Sequence, residues 1–149
     1  MTVRDNRGRF VKRELPREPI TITVGVHASE GNMTHGEGLT IGDIATFHEF
    51  GTQTVPQRSF IRGWADERAT WIADTLRTQM QQVVAGKRPI EQAAERIALA
   101  FEGDVKQRVL RNIPPPLKPA TIARKGSSLA LVDQGVLRNA IRAKVKVGK

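Results

Sequence analysis

The sequence predicts an α+β fold: a small antiparallel sheet packed against two long helices, with a flexible basic N-terminal arm. Three observations carry this. Residues 20–26 and 141–147 alternate apolar with polar or small side chains, the period-two signature of half-buried strands. Between them, two stretches repeat apolar residues every three or four positions, over about 60–84 and 89–111. Residues 1–18 show neither period and are rich in Arg, Lys, Asp, Asn and Gly. The expected organisation is an arm over 1–18 and a single domain over 19–149.

Taken in order, the arm offers only Val3, Phe10, Val11 and Leu15 as sizeable apolar residues. Such a composition orders only against something else. In the first strand Ile20, Ile22, Val24 and Val26 point one way and Thr21, Thr23 and Gly25 the other. Residues 29–38 (SEGNMTHGEG) read as a polar, glycine-rich loop, mobile or touching a partner. A short helix is expected over 43–50, with Asp43 as its cap, Ile44, Phe47 and His48 in helical spacing, and Gly51 as its stop. Residues 52–59 (TQTVPQRS) form an extended link, because Pro56 biases Val55 away from helix.

The first long helix follows over 60–84, its stripe made of Ile61, Trp64, Trp71, Ile72, Leu76, Met80 and Val83. Gly86, Lys87 and Arg88 break it, and Pro89 suits the first turn of the next. That helix, 89–111, buries Ile90, Ala94, Ile97, Phe101, Val105 and Val109. Gly103 costs it about 1 kcal/mol relative to Ala, too little to end it. Pro114, Pro115 and Pro116 do end it. A helical turn at 119–124, a small-residue loop at 126–128, an Asp133-led turn and a short helix around Leu137, Arg138 and Asn139 lead to the last strand, which pairs with the first.

The chain has 149 residues, 24 Lys+Arg against 15 Asp+Glu, and a formal charge of +9. That length suits one domain with a core that needs no staples. Cysteine is absent, which removes disulfides, thiolate metal sites and cysteine nucleophiles together. No apolar run approaches the roughly 20 residues of a spanning helix, and no apolar core follows the charged N-terminus. A soluble, unexported protein away from membranes is expected. The charge is concentrated: residues 1–18 carry +3, residues 118–149 carry +7, and the span between them −1. Basic ends on a near-neutral body fit a polyanion, an acidic partner or solvated tails.

Chemistry finds little footing. His48-Glu49 opens like the zinc-protease helix motif, but position 52, where the second His belongs, is Thr52. His27 and His35 have no clustered ligands beside them, so no metal site is expected. Ser59, Ser127 and Ser128 lack the setting of a nucleophile elbow, and Gly36-Glu37-Gly38 lacks a third glycine for a phosphate loop. Asp66/Glu67 and Glu91/Glu95 fall on exposed helix faces. No catalytic residue, cofactor or metal is expected. For nucleic acid, aromatic platforms are scarce and both Trp residues fall on an apolar stripe, so only sequence-independent phosphate contact fits the charge.

Four phrases occur in order: IATFHEFGT (44–52), VPQRSFIR (55–62), PPPLKPATIARKGSS (114–128) and LVDQGVLRNAI (131–141). Together they resemble the tail-component, or virion morphogenesis, family of long-tailed bacteriophages, over roughly residues 40–145. His48, Glu49, Phe50 and Gly51 match the family's helix end. Pro56, Arg58 and Phe60 match the start of its long helix, and Asp133, Gly135 and Leu137 its C-terminal turn. Gln134 and Ala130 depart from the pattern, where Thr and Pro are expected; both concern loop geometry. The resemblance implies a tail-completion or tail-terminator protein without catalysis, forming a ring at the head–tail junction, expected to be hexameric. Its partners are then copies of itself and neighbouring neck, head-closure and tail-tube proteins, with non-specific contact to genomic DNA and none to membrane. Its place is the virion, and the host cytoplasm during assembly.

Within that reading Arg4, Arg7, Arg9, Lys12 and Arg13 are the arm's contacts to neighbouring subunits or neck proteins, a role the 29–38 loop could share. Arg58 has two readings: holding the 52–59 link through bonds to carbonyls or to Glu49, which is favoured, or meeting a partner subunit. Phe60 reads as a core anchor and Asp133 as a cap. The alternatives are a small basic DNA-binding accessory protein and, with less behind it, a hydrolase using His48 and Glu49.

Overall fold

A computed structural model of the chain describes residues 2–4, 7–12, 18–35, 38–126, 128, 131 and 135–148. Those residues form a mixed helix-and-strand fold with seven helices. Strands β1 (Thr2–Arg4) and β2 (Phe10–Lys12) pair antiparallel, with Val3 opposite Val11. Here the structure departs from the expected arm, since residues 2–4 and 10–12 order against each other. Strand β3 (Ile20–Val26) follows, its Ile and Val side chains half-buried and Thr21 and Thr23 exposed, as the alternation predicts.

The expected 29–38 loop instead begins with a single helical turn, α1 (Ala28–Gly31), and closes with a bridge between Thr34 and Thr40. Its glycine serves close packing. A β-carbon on Gly42 would sit 3.2 Å from the Gly31 carbonyl oxygen, so α1 lies directly against the next helix.

That helix, α2 (Ile41–Phe50), starts two residues earlier than expected, and Asp43 is not its N-cap. Thr40 is: its hydroxyl accepts the Asp43 N–H at 3.1 Å, while the Asp43 carboxylate accepts the Thr40 N–H at 2.9 Å. This reciprocal box satisfies two of the helix's orphan donors, and its bonds from Thr40 hold the Asp43 carboxyl below its ordinary pKa. Thr40→Ala is expected to lower unfolding free energy by about 1 kcal/mol, read from the urea midpoint.

The helix expected over 60–84 divides into α3 (Arg62–Glu67) and α4 (Ala69–Val84), with Arg68 between them. The Arg68 N–H still bonds the Trp64 carbonyl, but its φ and ψ of −104° and 7° leave the helical region. Its guanidinium grips Asp104 bidentately, Nε at 2.7 Å and Nη2 at 2.8 Å, and the Trp64 Nε1–H reaches the same carboxylate at 2.8 Å. Hydrogen bonding from Arg68 is the main reason the Asp104 carboxyl lies below its ordinary pKa.

Helix α5 (Ile90–Leu110) carries Asp104 and keeps most of the expected stripe: Ala94, Ile97, Phe101, Val105 and Val109 are buried, whereas Ile90 is only half-buried. Helix α6 (Pro119–Lys125) ends at Gly126, and the short α7 (Val136–Ala140) leads directly into strand β4 (Ile141–Val147). Strands β3 and β4 form a two-stranded sheet. It is antiparallel: the Gly148 N–H, just past the end of β4, donates to the Pro19 carbonyl, just before β3, at 3.0 Å. The predicted pairing of first and last strands is thus present.

The fold divides into two compact units. The first holds β1, β2, α4, α5 as far as Phe101, β3 to Thr23 and β4 from Ala143. Val83, Ala93, Ala94, Ile97, Ala98 and Phe101 are among its buried residues, and the Trp71 ring lies tilted against Phe101 at 5.7 Å between centroids. The second holds α1, α2, α3, the rest of α5, α6 and α7, with Phe60, Trp64, Val105, Val109, Leu137 and Ile141 among its buried residues. The stripe expected on α4 is buried less than predicted: Val83 is enclosed, whereas Leu76 and Met80 are exposed.

Candidate functional site

The site belongs to the second unit and begins at the C-terminus of α2. Gly51 stops this helix with φ 77° and ψ 167°, a conformation that L side chains rarely adopt. A β-carbon there would stand 3.0 Å from the Gln57 nitrogen, because the 52–59 link doubles back across the helix end. The carbonyls that α2 leaves without helical partners are met by this link. The Arg58 N–H donates to His48 O at 2.7 Å and the Gln57 side-chain amide to Glu49 O at 3.0 Å. Thr52 pins the near side of the loop, its hydroxyl accepting the Val55 N–H at 2.9 Å.

Glu49 faces the far side of this turn. The residue is 9% exposed, and its carboxylate takes the Ser59 hydroxyl at 2.6 Å, the Phe60 and Ile61 N–H groups at 2.9 Å each and the Arg62 N–H at 3.0 Å. One side chain on α2 therefore satisfies the orphan donors that open α3. Ser59 completes the start, its hydroxyl oxygen accepting the Gly63 N–H at 3.1 Å. Burial alone would push the Glu49 carboxyl up. The Ser59 hydroxyl and three backbone donors outweigh it and hold the carboxyl below its ordinary pKa.

Arg58 is 3% exposed, and burial lowers its pKa from the ordinary arginine value. Arginine stays charged even so. Its Nε–H donates to the Pro115 carbonyl at 2.8 Å, across 57 residues of sequence. Carbonyl anchoring was one of its two expected uses; the partner is Pro115, not the 52–59 link, and the Glu49 carboxylate is engaged elsewhere. Among the described residues no carboxylate pairs with Arg58, and neither of its two terminal nitrogens has a hydrogen-bond partner.

Arg58 lines a cavity of about 830 Å³. Its walls come from all four phrases singled out in the sequence: Ile44 and His48, Val55 and Pro56, Pro115 to Leu117, and Leu131 with Leu137. Lys118 and Arg124 stand at its edge with their side chains exposed, and His35 also lines it. No Asp or Glu appears among the described lining residues.

Of the expected site residues, His48, Pro56, Arg58 and Leu137 thus meet around one cavity, while Glu49, Gly51 and Phe60 build the turn behind it. Phe50 lies exposed with the Arg62 guanidinium 5.5 Å over its ring. Gly135 is the N-cap of α7, and Asp133 lies outside the described residues. Arg4 and Lys12 sit in β1 and β2 and Arg7 and Arg9 in the segment joining them, all in the first unit, and Arg13 lies outside the described residues. Ser59, Pro115, Lys118 and Arg124 are the members that sequence reasoning missed. Ser59 carried a usable signal, a serine immediately before a predicted helix.

Among the described residues no group of three or more His, Cys, Asp or Glu could hold a metal ion, and none of their helices is long and apolar enough to cross a membrane. Comparison with family models, with curated proteins and with solved structures finds no match to this chain.

Proposed function

We propose that this chain is a structural virion protein, a tail-completion or tail-terminator subunit that forms a ring at the phage head–tail junction and is needed for tail assembly and joining. The observation that carries the reading is the convergence of the four phrases. They lie up to about 90 residues apart in sequence, yet each contributes to the walls of one cavity. Phrases that resemble a family and also build one site form a coherent motif rather than scattered coincidences.

A second feature suits an assembly subunit. Leu76, Met80 and Val84 are 39%, 38% and 54% exposed and recur every four residues, one continuous stripe along α4. An apolar stripe left in water is the usual mark of a surface that another protein covers. In this reading a small sheet packed on two long helices forms the subunit body. The basic 1–18 segment, within which β1 and β2 pair, serves as an arm towards adjacent subunits or neck proteins.

The test is the mass of the purified full chain in high salt. A discrete ring-sized oligomer, six subunits being the expected number, supports the proposal. A monomer whose affinity for duplex DNA falls steeply with salt identifies instead a small basic DNA-binding accessory protein.

A further inference from the structure

We propose that the cavity of the second unit binds an extended acidic peptide segment of another protein, with a carboxylate on Arg58 and apolar side chains against the walls. The inference stands on the cavity alone and holds whatever the oligomeric state. The size fits, since about 830 Å³ lies within the roughly 300–1,000 Å³ of built ligand sites.

The chemistry of the occupant follows from Arg58. A guanidinium buried to this degree carries a charge that costs much in the absence of an opposite charge. Its Nε–H is spent on the Pro115 carbonyl, which leaves the terminal N–H groups of this cavity-lining residue without a partner among the described residues. A planar fork held in this way is matched by a carboxylate or a phosphate, bidentately. Lys118 and Arg124 extend the positive field to the edge, and no described lining residue opposes it.

The walls choose between the anions. Ile44, Val55, Leu117, Leu131 and Leu137 make most of the surface apolar. A nucleic acid needs phosphate contacts along a groove and aromatic faces for its bases, and no Phe or Trp is among the described lining residues. An acidic segment with apolar neighbours satisfies both the fork and the walls. Charge also argues against a terminal segment of a second copy, because this chain carries +3 over residues 1–18 and +7 over residues 118–149.

The experiment titrates the full chain into a short fluorescein-labelled peptide of alternating leucine and aspartate, followed by anisotropy. The asparagine counterpart is run beside it. The aspartate peptide is expected to bind, the asparagine peptide at least about tenfold more weakly, and the double variant Lys118→Glu, Arg124→Glu to lose about tenfold in affinity. Both altered side chains are exposed, so that variant keeps its fold, which circular dichroism checks independently. Arg58→Lys, which keeps the charge but not the fork, is expected to weaken binding in the same direction. No binding of the aspartate peptide, equal binding of the two peptides, or unchanged binding by the double variant overturns the proposal. Displacement of the peptide by equimolar inorganic phosphate does so too, since it makes the site a phosphate site.

Discussion

Replacing Phe60 with alanine is expected to lower the unfolding free energy by about 3–5 kcal/mol, the range for a large buried aromatic side chain. Phe60 is 2% exposed, among the most enclosed side chains of the second unit. Its backbone N–H donates to the Glu49 carboxylate at 2.9 Å, and alanine keeps that bond. The substitution therefore removes the ring and little else. Domains are stable by about 5–15 kcal/mol in all, so the loss is a large share of the total. Phe60→Leu, which preserves most of the volume, is expected to cost under about 1.5 kcal/mol. Urea unfolding followed by circular dichroism separates them: both lower the midpoint, with unchanged slope, and alanine lowers it more. A loss below about 1 kcal/mol for alanine would show that the ring contributes little to packing.

The elements that were legible in the sequence are those whose evidence is local. Ile20–Val26 and Ile141–Val147 announce themselves by alternation, and Ile90–Leu110 by a stripe that is in fact buried from Ala94 to Val109. Gly51 and Gly126 mark helix ends because the chain needs positive φ at both. The break at Arg68 had no such mark. No Gly or Pro stands there, and the guanidinium partner that fits it, Asp104, lies 36 residues away. Composition also misled at the N-terminus, where a charged, glycine-containing segment holds two three-residue strands that pair with each other. Gly31 and Gly42 carried information of a third kind. Glycine in a polar stretch reads as loop chemistry, whereas here it permits two backbones to approach.

The site divides along the same line. His48, Pro56, Arg58 and Leu137 were picked out as parts of phrases, yet nothing in their spacing shows that they share a cavity. Arg58 reaches Pro115, and Glu49 reaches the backbone of residues 60–62. Spacing rules compare side chains with side chains, so a carboxylate that bonds backbone donors is invisible to them. The exposed stripe on α4 is a related case. Periodicity told that Leu76 and Met80 share a face, but not whether this chain or another covers it.

Glu49→Ala is expected to lower the unfolding free energy by about 3 kcal/mol, and Glu49→Gln by about 2 kcal/mol. Alanine strands four donors at once: the Ser59 hydroxyl and the N–H groups of Phe60, Ile61 and Arg62. Hydrogen bonds to a charged acceptor are each worth about 1.5–3 kcal/mol, but water entering the vacated space recovers part of the sum. Glutamine restores an acceptor oxygen yet turns an NH2 group towards donors, so it recovers only a share. In a chain of this length, about 3 kcal/mol corresponds to a melting temperature lower by roughly 6–12 °C. The pH profile then distinguishes charge from packing. The folded Glu49 carboxyl lies below its ordinary pKa, so the unfolded state binds its proton first. Its contribution is complete above the unfolded value of about 4.3 and is lost as pH falls through the folded value. Wild-type stability should drop on acidification below about pH 5, while Glu49→Gln should be flatter over that window. Some slope should persist, because the Asp104 carboxyl is also lowered and titrates in the same direction. Equal acid sensitivity in wild type and Glu49→Gln would mean that the carboxylate does not carry its charge into the fold.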